Sequence, residues 1–78
     1  MSKEKTVVGI DIGGTNTMFG FVDRSGKILA EDMITTTHYD EPEVFVAALY
    51  EKLMITAQKS GRDMEILGFG IGALLTLV

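Results

Sequence analysis

The chain has 78 residues, enough for one small domain that buries only about 60% of the surface its unfolded form exposes. It has no cysteine, which excludes disulfides and thiolate metal sites. Its net charge of −4, without a basic stripe, argues against a nucleic-acid partner. The N-terminus has no signal-peptide core, and the longest apolar stretch, residues 66–78, has 13 residues where a membrane span needs about 20. We therefore expect a cytoplasmic protein without a membrane segment.

The first part of the sequence predicts three strands joined by two tight hairpins. Residues 6–12 are rich in valine and isoleucine on both faces, as in a strand covered on both sides. Residues 17–23 alternate between two faces and predict a second strand. Residues 23–26, Asp-Arg-Ser-Gly, form a four-residue turn that folds this strand back on a third, at about 27–35.

Helical periodicity follows the third strand. Asp40 and Glu43, with Pro42 in the first turn, predict an acidic capping box, and Gly61 predicts the end of the helix. The predicted apolar face consists of Phe45, Leu49, Leu53 and Ala57, with Val46 and Tyr50 beside them. A fourth strand is expected at 66–71. Because a helical crossover normally returns the chain in the same direction, the α/β order β-β-β-α-β predicts a three-stranded antiparallel meander joined to one parallel strand.

The motif GIDIGGTNT, between the first two strands, is the candidate functional site. Glycines let the backbone approach a ligand closely, and successive amide N–H groups form a concavity that suits an anion such as phosphate. Two hydroxyls and one side-chain amide add donors, and a carboxylate at the strand end has the chemistry to hold a hydrated Mg²⁺. The predicted binding set is Asp11, Gly13, Gly14, Thr15, Asn16 and Thr17, with Asp11 as the magnesium residue.

The spacing of these residues is equally compatible with a hairpin in which the glycines serve only the turn and bind no ligand. Asp11 favours the phosphate site, because a carboxylate ending an apolar strand costs free energy unless it has a partner or a task. A P-loop is excluded, since no Gly-Lys pair is followed by Ser or Thr. Residues 68–73, GFGIGA, match a loose dinucleotide-binding pattern without room for the helix and strand that it requires. We interpret them as a strand whose small residues let another element pack closely.

Residues 7–29, VVGIDIGGTNTMFGFVDRSGKIL, resemble the start of the ROK family of sugar kinases and repressors. These are bacterial glucokinase-like members of the actin, Hsp70 and hexokinase superfamily, and the similarity extends to about Ala73. The resemblance implies a ribonuclease H-like (actin-like ATPase) fold, of which residues 1–78 form part of the N-terminal lobe. It also implies that the glycine turn, Asp11 to Asn16, is the first phosphate motif, which binds ATP and, through water on Asp11, Mg²⁺.

Residues 74–78, LLTLV, depart from the family pattern, whose fourth-strand glycines lead into a loop beside the sugar. The family's catalytic aspartate, sugar-contacting residues, zinc motif and adenosine loop lie further along a much longer chain. No catalytic residue is therefore assigned here, and His38 is expected to be a solvated loop residue. We expect the truncated N-terminal portion of an ATP-dependent hexose kinase, with an atypical tail, inactive as a phosphotransferase on its own.

Two alternatives remain. A ROK-type transcriptional repressor would place a winged helix before the turn, and the ten residues that precede Asp11 leave no room for one. The other alternative is a ligand-silent domain that is stable only through association. One helix covers only one face of a sheet, so we expect a homo-oligomer. The apolar residues on both faces are Val7, Val8, Ile10 and Ile12 in the first strand, and Phe19 and Phe21 opposite Met18 and Val22 in the second.

Overall fold

The computed structural model describes residues 3–73, as one four-stranded sheet and one long helix. The elements are β1 (Glu4–Ile12), β2 (Asn16–Asp23), β3 (Ile28–Thr35), a short 3-10 helix (Thr36–His38), α1 (Pro42–Lys59) and β4 (Met64–Ala73). The predicted order β-β-β-α-β is confirmed. The prediction of an atypical tail at 74–78 lies outside the described residues. Within them, no helix is long and apolar enough to cross a membrane.

The sheet has the strand order β3-β2-β1-β4, with β1 and β2 at its centre. Both hairpin pairs, β1 with β2 and β2 with β3, are antiparallel, whereas β1 and β4 are parallel. The predicted meander with one added parallel strand is therefore confirmed. This mixed α/β arrangement is consistent with the N-terminal part of an actin-like ATPase fold.

The turn between β2 and β3 is built around one carboxylate. Asp23 Oδ1 accepts hydrogen bonds from Ser25 N at 2.9 Å, Ser25 Oγ at 2.7 Å and Lys27 N at 3.0 Å. The bond from the Ser25 hydroxyl, followed by that from the Lys27 amide, lowers the pKa of Asp23 below its ordinary value. Gly26 adopts a positive φ of 88°, which a residue with a Cβ rarely does. The sequence predicted this turn correctly.

The hydrophobic core lies between α1 and one face of the sheet. Its buried members are Val8, Ile10, Phe19, Phe21, Leu49 and Leu53. The rings of Phe19 and Phe21 meet edge to face, with centroids 6.3 Å apart. Full burial of one large apolar side chain contributes about 1.5–3 kcal/mol, and partly buried residues such as Ile34 and Phe45 add to this core.

The beginning of α1 differs from the prediction. Glu41 is the N-cap, with no side-chain capping bond, and Pro42 is the first helical residue. The first helical hydrogen bond runs from Phe45 N to the carbonyl oxygen of Glu41, at 3.0 Å. The predicted capping box of Asp40 and Glu43 is therefore wrong, because the helix begins one residue too late for Asp40 to serve as its cap. The end of the helix is as predicted, with Gly61 at φ 70° just beyond it.

The buried face of α1 contains the four predicted residues and one more. Leu49 and Leu53 are buried, and Phe45 and Ala57 pack against the same core, as expected. Thr56 is a third buried residue of the helix, which the prediction did not include. Val46 and Tyr50, which were predicted to flank the buried face, are each 60% exposed. The spacing of the buried residues, i, i+4 and i+7, follows the side of the helix that meets the sheet.

The opposite face of the sheet has no covering element among residues 3–73. It exposes large apolar side chains at Val7, Met18, Ile28 and Met33, so the expectation of one covered and one open face is confirmed. A row of glycines crosses this open face on three neighbouring strands, where Gly9 pairs with both Gly20 and Gly70. No described residue lies within 4 Å of a Cβ added at Gly68, Gly70 or Gly72, so the close packing expected there is absent from this part of the chain.

Two threonines buried at the interface between α1 and the sheet, Thr56 on the helix and Thr17 on β2, provide a stability test. Thr56 is 8% exposed and its hydroxyl has no partner in the described residues, whereas the Thr17 hydroxyl shares a 2.7 Å hydrogen bond with that of Thr36. We expect Thr56→Val to raise the free energy of unfolding by about 1 kcal/mol, because it removes a buried group that lacks a hydrogen bond. Thr17→Val should lower it by a similar amount. Urea unfolding at one fixed protein concentration measures both, and equal effects of the two substitutions would contradict this assignment.

Candidate functional site

The turn between β1 and β2 is closed by one backbone hydrogen bond, from Gly13 N to the carbonyl oxygen of Asn16, at 3.0 Å. A Cβ added at Gly13 would lie 2.7 Å from that same oxygen, closer than real Cβ contacts. Glycine at position 13 is therefore required by the turn itself. For this residue, the interpretation that the glycine serves only the hairpin is sufficient.

Gly14 has no such structural requirement. A Cβ added there would meet nothing within 4 Å, and the positive-φ glycines of the described chain are Gly26 and Gly61 instead. Within residues 3–73, neither the Gly14 nor the Thr15 amide donates a hydrogen bond. The turn thus exposes two consecutive N–H donors, with no side chain at the first of them. Adjacent free amides are the groups from which an anion-binding concavity is made.

A second segment holds the turn from behind. Thr36 N donates to the carbonyl oxygen of Thr15 at 2.7 Å, and the Thr36 hydroxyl meets that of Thr17 at 2.7 Å. Thr36 begins the 3-10 helix after β3, and the pairing of Asn16 with Thr35 brings it to this position. Sequence reasoning missed Thr36. The signal was the run of three threonines, 35–37, which begins at the last residue of the predicted third strand.

The structure separates the predicted binding residues into two groups. Asp11, Gly14, Thr15 and Asn16 are exposed, and Gly13 is half-buried within the turn. Thr17 is fully buried on the face that α1 covers, and its hydroxyl is engaged by Thr36. Thr17 therefore supports the turn from the core side, whereas the other residues lie at its surface.

Asp11 projects from the open face of the sheet, two residues before the turn. Its neighbours across the sheet are Met18 and Gly72, and within residues 3–73 its carboxylate has no hydrogen bond or ion pair. No group of three metal-binding side chains occurs in the same region. A Mg²⁺ at Asp11 would therefore take its other ligands from water and from phosphate oxygens, as this ion commonly does. The donor set fits a hydrated magnesium bound through one carboxylate.

A shallow groove of about 620 Å³ runs across the open face beside Asp11. Gly9, Gly20 and Gly70 form its floor, and Met18 and Met33 belong to its mostly apolar walls. The groove is open because three neighbouring strands have no side chain on the same rung. The Asp11 carboxylate therefore borders, on the open face, an accessible groove with few polar atoms.

Two other polar residues are explained by structure alone. Asp32 Oδ2 lies 3.5 Å from Lys52 Nζ. The pKa of Asp32 is below its ordinary value, chiefly because its carboxylate accepts a hydrogen bond from the Met33 backbone N–H and to a smaller extent because of the Lys52 charge. This pair ties β3 to α1. His38 is exposed, as predicted, with its ring centroid 6.4 Å from that of Tyr39, but it is the last residue of the 3-10 helix rather than a loop residue.

Comparison with known protein families gives a match over most of this chain. The family model described as "ROK family" matches residues 7–76, which contain the glycine turn, the meander, α1 and β4 up to its last described residue. The chain belongs to the ROK family. No curated protein matches it. The ROK match runs through the whole β1–β2 turn, so the exposed residues of the candidate site all lie within the family region.

The two adjacent glycines of this ROK turn are expected to respond differently to the same substitution. Gly13→Ala should lower the free energy of unfolding by about 1–3 kcal/mol, because the new methyl group collides with the Asn16 carbonyl oxygen. Gly14→Ala should change it by less than about 1 kcal/mol, because the methyl group enters open space. Urea unfolding of the two variants measures the difference. If Gly14→Ala is the more damaging substitution, the geometry described for the turn is incorrect.

Proposed function

We propose that the chain is the N-terminal, phosphate-binding portion of an ATP-dependent hexose kinase of the ROK family. The observation that carries the proposal is Gly14, a turn residue that the fold does not require to be glycine. Within residues 3–73, its own amide and that of Thr15 have no acceptor, and it lies three residues beyond Asp11, an exposed carboxylate without a partner in the same part of the chain. A ligand that takes both features together contains an anion and a cation. MgATP is such a ligand.

In this proposal, each exposed residue of the turn has a separate role. The Gly14 and Thr15 amides donate to phosphate oxygens, and the side chains of Thr15 and Asn16, both exposed at the same turn, add further donors. Asp11 holds Mg²⁺ through water. When bound, Mg²⁺ neutralises negative charge on the phosphates during transfer. Thr17 and Thr36 fix the turn from the core side, so the donors are in place before the ligand arrives.

The same assignment limits what this chain does alone. Phosphoryl transfer to a sugar hydroxyl needs a carboxylate beside that hydroxyl to accept its proton. Asp11, which serves the metal, cannot also serve the sugar. Asp32 is engaged with Lys52, away from the turn. We therefore propose that the hexose site and the catalytic base belong to segments other than residues 3–73.

A ROK-type repressor domain is the competing function within the same family, and nucleotide binding distinguishes the two. A repressor has no need for paired free amides next to an exposed carboxylate. A kinase needs both, and needs them within a few residues of one another. The exposed Asp11 and Gly14 therefore favour the kinase.

Nucleotide binding is tested by amide chemical shifts. On addition of MgATP, the wild-type chain should show shifts centred on residues 13–16, with a dissociation constant of about 1 mM, because one turn supplies few contacts. Gly14→Val and Asp11→Ala should each reduce the shifts severalfold. Gly68→Val, which also enters open space, and Glu43→Ala, which removes an exposed carboxylate from α1, are the matched controls. Equal shifts in the wild type and all four variants would contradict the proposal.

Turnover is tested separately. We expect the chain alone to release no ADP in response to glucose, because Asp11 is assigned to the metal and no second carboxylate is assigned to the sugar. A coupled ADP assay at saturating MgATP measures this. Glucose-dependent ADP release that disappears in Asp11→Ala would show that the chain already contains a catalytic base, and the division of roles proposed above would be wrong.

A further inference from the structure

The two residues at the tip of the β1–β2 turn, Gly14 and Thr15, are hydrogen-bonded to the rest of the fold at a single backbone atom. Within residues 3–73, that atom is the Thr15 carbonyl oxygen, and its donor is Thr36 N at 2.7 Å. The bond that closes the hairpin, from Gly13 N to the Asn16 carbonyl oxygen, lies one step below the tip. The position of the free tip amides is therefore set by a residue outside the β1–β2 hairpin.

Thr36 makes a second contact with the same hairpin. Its hydroxyl shares a 2.7 Å hydrogen bond with that of Thr17, whose side chain is fully buried on the helix-covered face. A buried hydroxyl without a partner is costly, so the Thr17 side chain favours the conformation that keeps Thr36 at this distance. Two bonds to one residue fix its orientation, and they direct the Thr36 backbone N–H at Thr15.

The segment that contains Thr36 is otherwise weakly held. The 3-10 helix Thr36–His38 has no buried residue and no side-chain cap, and the bond that spans it, from Tyr39 N to the Thr36 carbonyl oxygen, is 3.2 Å long. Its anchor on the other side is the ring of Tyr39, 6.0 Å from that of Phe45. Segments with few buried contacts open locally at a small cost in free energy. The connection between β3 and α1 therefore has a closed state, with Thr36 bonded to the hairpin, and an open state, with both bonds broken.

We propose that occupancy of the turn and closure of the β3–α1 connection are coupled in both directions, with Thr36 as the positioning residue between them. This inference rests on the proposed function, in which the ligand of the turn is the phosphate chain of MgATP. The tip amides are held in place only while Thr15 is bonded to Thr36, so the ligand binds the closed state more tightly. By linkage, a ligand that prefers the closed state also stabilises it, by the same factor.

Packing limits how far the effect extends. Tyr39 N donates to the Thr36 carbonyl oxygen, so opening at Thr36 weakens this bond as well. Phe45 packs against the core, which keeps α1 in place in both states. The β2–β3 turn, with its own bond from Gly26 N to the Asp23 carbonyl oxygen, lies at the opposite end of the sheet. Protection by the ligand is therefore expected at Thr36 and Tyr39, and not at Gly26.

Amide hydrogen exchange of the full 78-residue wild-type chain, measured by NMR with and without MgATP, tests the coupling without any variant. At about ten times the dissociation constant, the ligand should slow exchange of the Thr36 and Tyr39 amides by about threefold to tenfold, the upper bound being set by mass action. Exchange at Gly26 should not change. Chemical-shift changes at residues 13–16 without slower exchange at Thr36 would overturn the coupling and leave the proposed function standing. Absence of shift changes at residues 13–16 would overturn both.

Hydroxyl variants test the positioning role of Thr36. Thr36→Val keeps the shape of the side chain but leaves the Thr17 hydroxyl without its partner, which favours the open state. We expect the dissociation constant for MgATP, measured from the shifts of residues 13–16, to rise about threefold or more. Thr36→Ser keeps the hydroxyl and should stay within about twofold of the wild-type value.

Thr6→Val is the matched control for a general loss of stability. Thr6 is also buried, and its hydroxyl donates to the Glu65 carbonyl oxygen at 3.2 Å, near the start of β1 and away from the turn. This variant should lower the free energy of unfolding and leave the dissociation constant unchanged. A Thr36→Val chain that binds MgATP as tightly as the wild type, or that loses no more affinity than Thr6→Val, would overturn the positioning role.

Discussion

The register between β1 and β2 is the constraint on which the rest of the structure depends. The pairs Val8 with Phe21 and Ile10 with Phe19 place four apolar side chains under α1. The same register turns Asp11 to the open face. A slip of β2 by one residue would turn both phenyl rings to the open face, whereas a slip of β1 would turn Asp11 towards the helix. The bond from Gly13 N to the Asn16 carbonyl oxygen closes the hairpin that fixes this register. One short turn therefore determines both the core and the orientation of the candidate site.

The β1–β2 turn is also connected to the segment that leads into α1. Thr36, in the 3-10 helix between β3 and α1, bonds through its N–H to the Thr15 carbonyl oxygen and through its hydroxyl to that of Thr17. The ring of Tyr39 then lies 6.0 Å from that of Phe45, in the first turns of α1. A continuous chain of contacts thus leads from the exposed amides to the helix. The donors of the site are held by packing that also stabilises the fold, which reduces the ordering that a ligand would have to impose.

Much of the fold was accessible from local patterns in the sequence. The strands, the Asp23 turn and the end of the helix at Gly61 follow from alternation and from turn chemistry within a few residues. The row from Phe45 to Ala57 on α1 was also accessible. The flank of that row was not, because the sheet decides which side is covered, and this places Thr56 rather than Tyr50 inside. For Thr17 the signal was present: it alternates in phase with Phe19 and Phe21, which assigns it to the core face. Its partner Thr36 is 19 positions away, and only the β2–β3 register brings the two together.

The parallel pairing of β1 with β4 has a consequence for the order in which the molecule folds. The meander needs only neighbouring segments, whereas the hydrogen bond from Thr6 to the carbonyl oxygen of Glu65 joins residues 59 positions apart. Closing so long a loop carries an entropic cost that is offset only when α1 has formed and the core begins to pack. We therefore expect the hairpins to assemble first during synthesis, while one side of β1 stays unpaired until the last strand arrives. A central strand of the finished sheet is, for that interval, an open edge in the nascent chain.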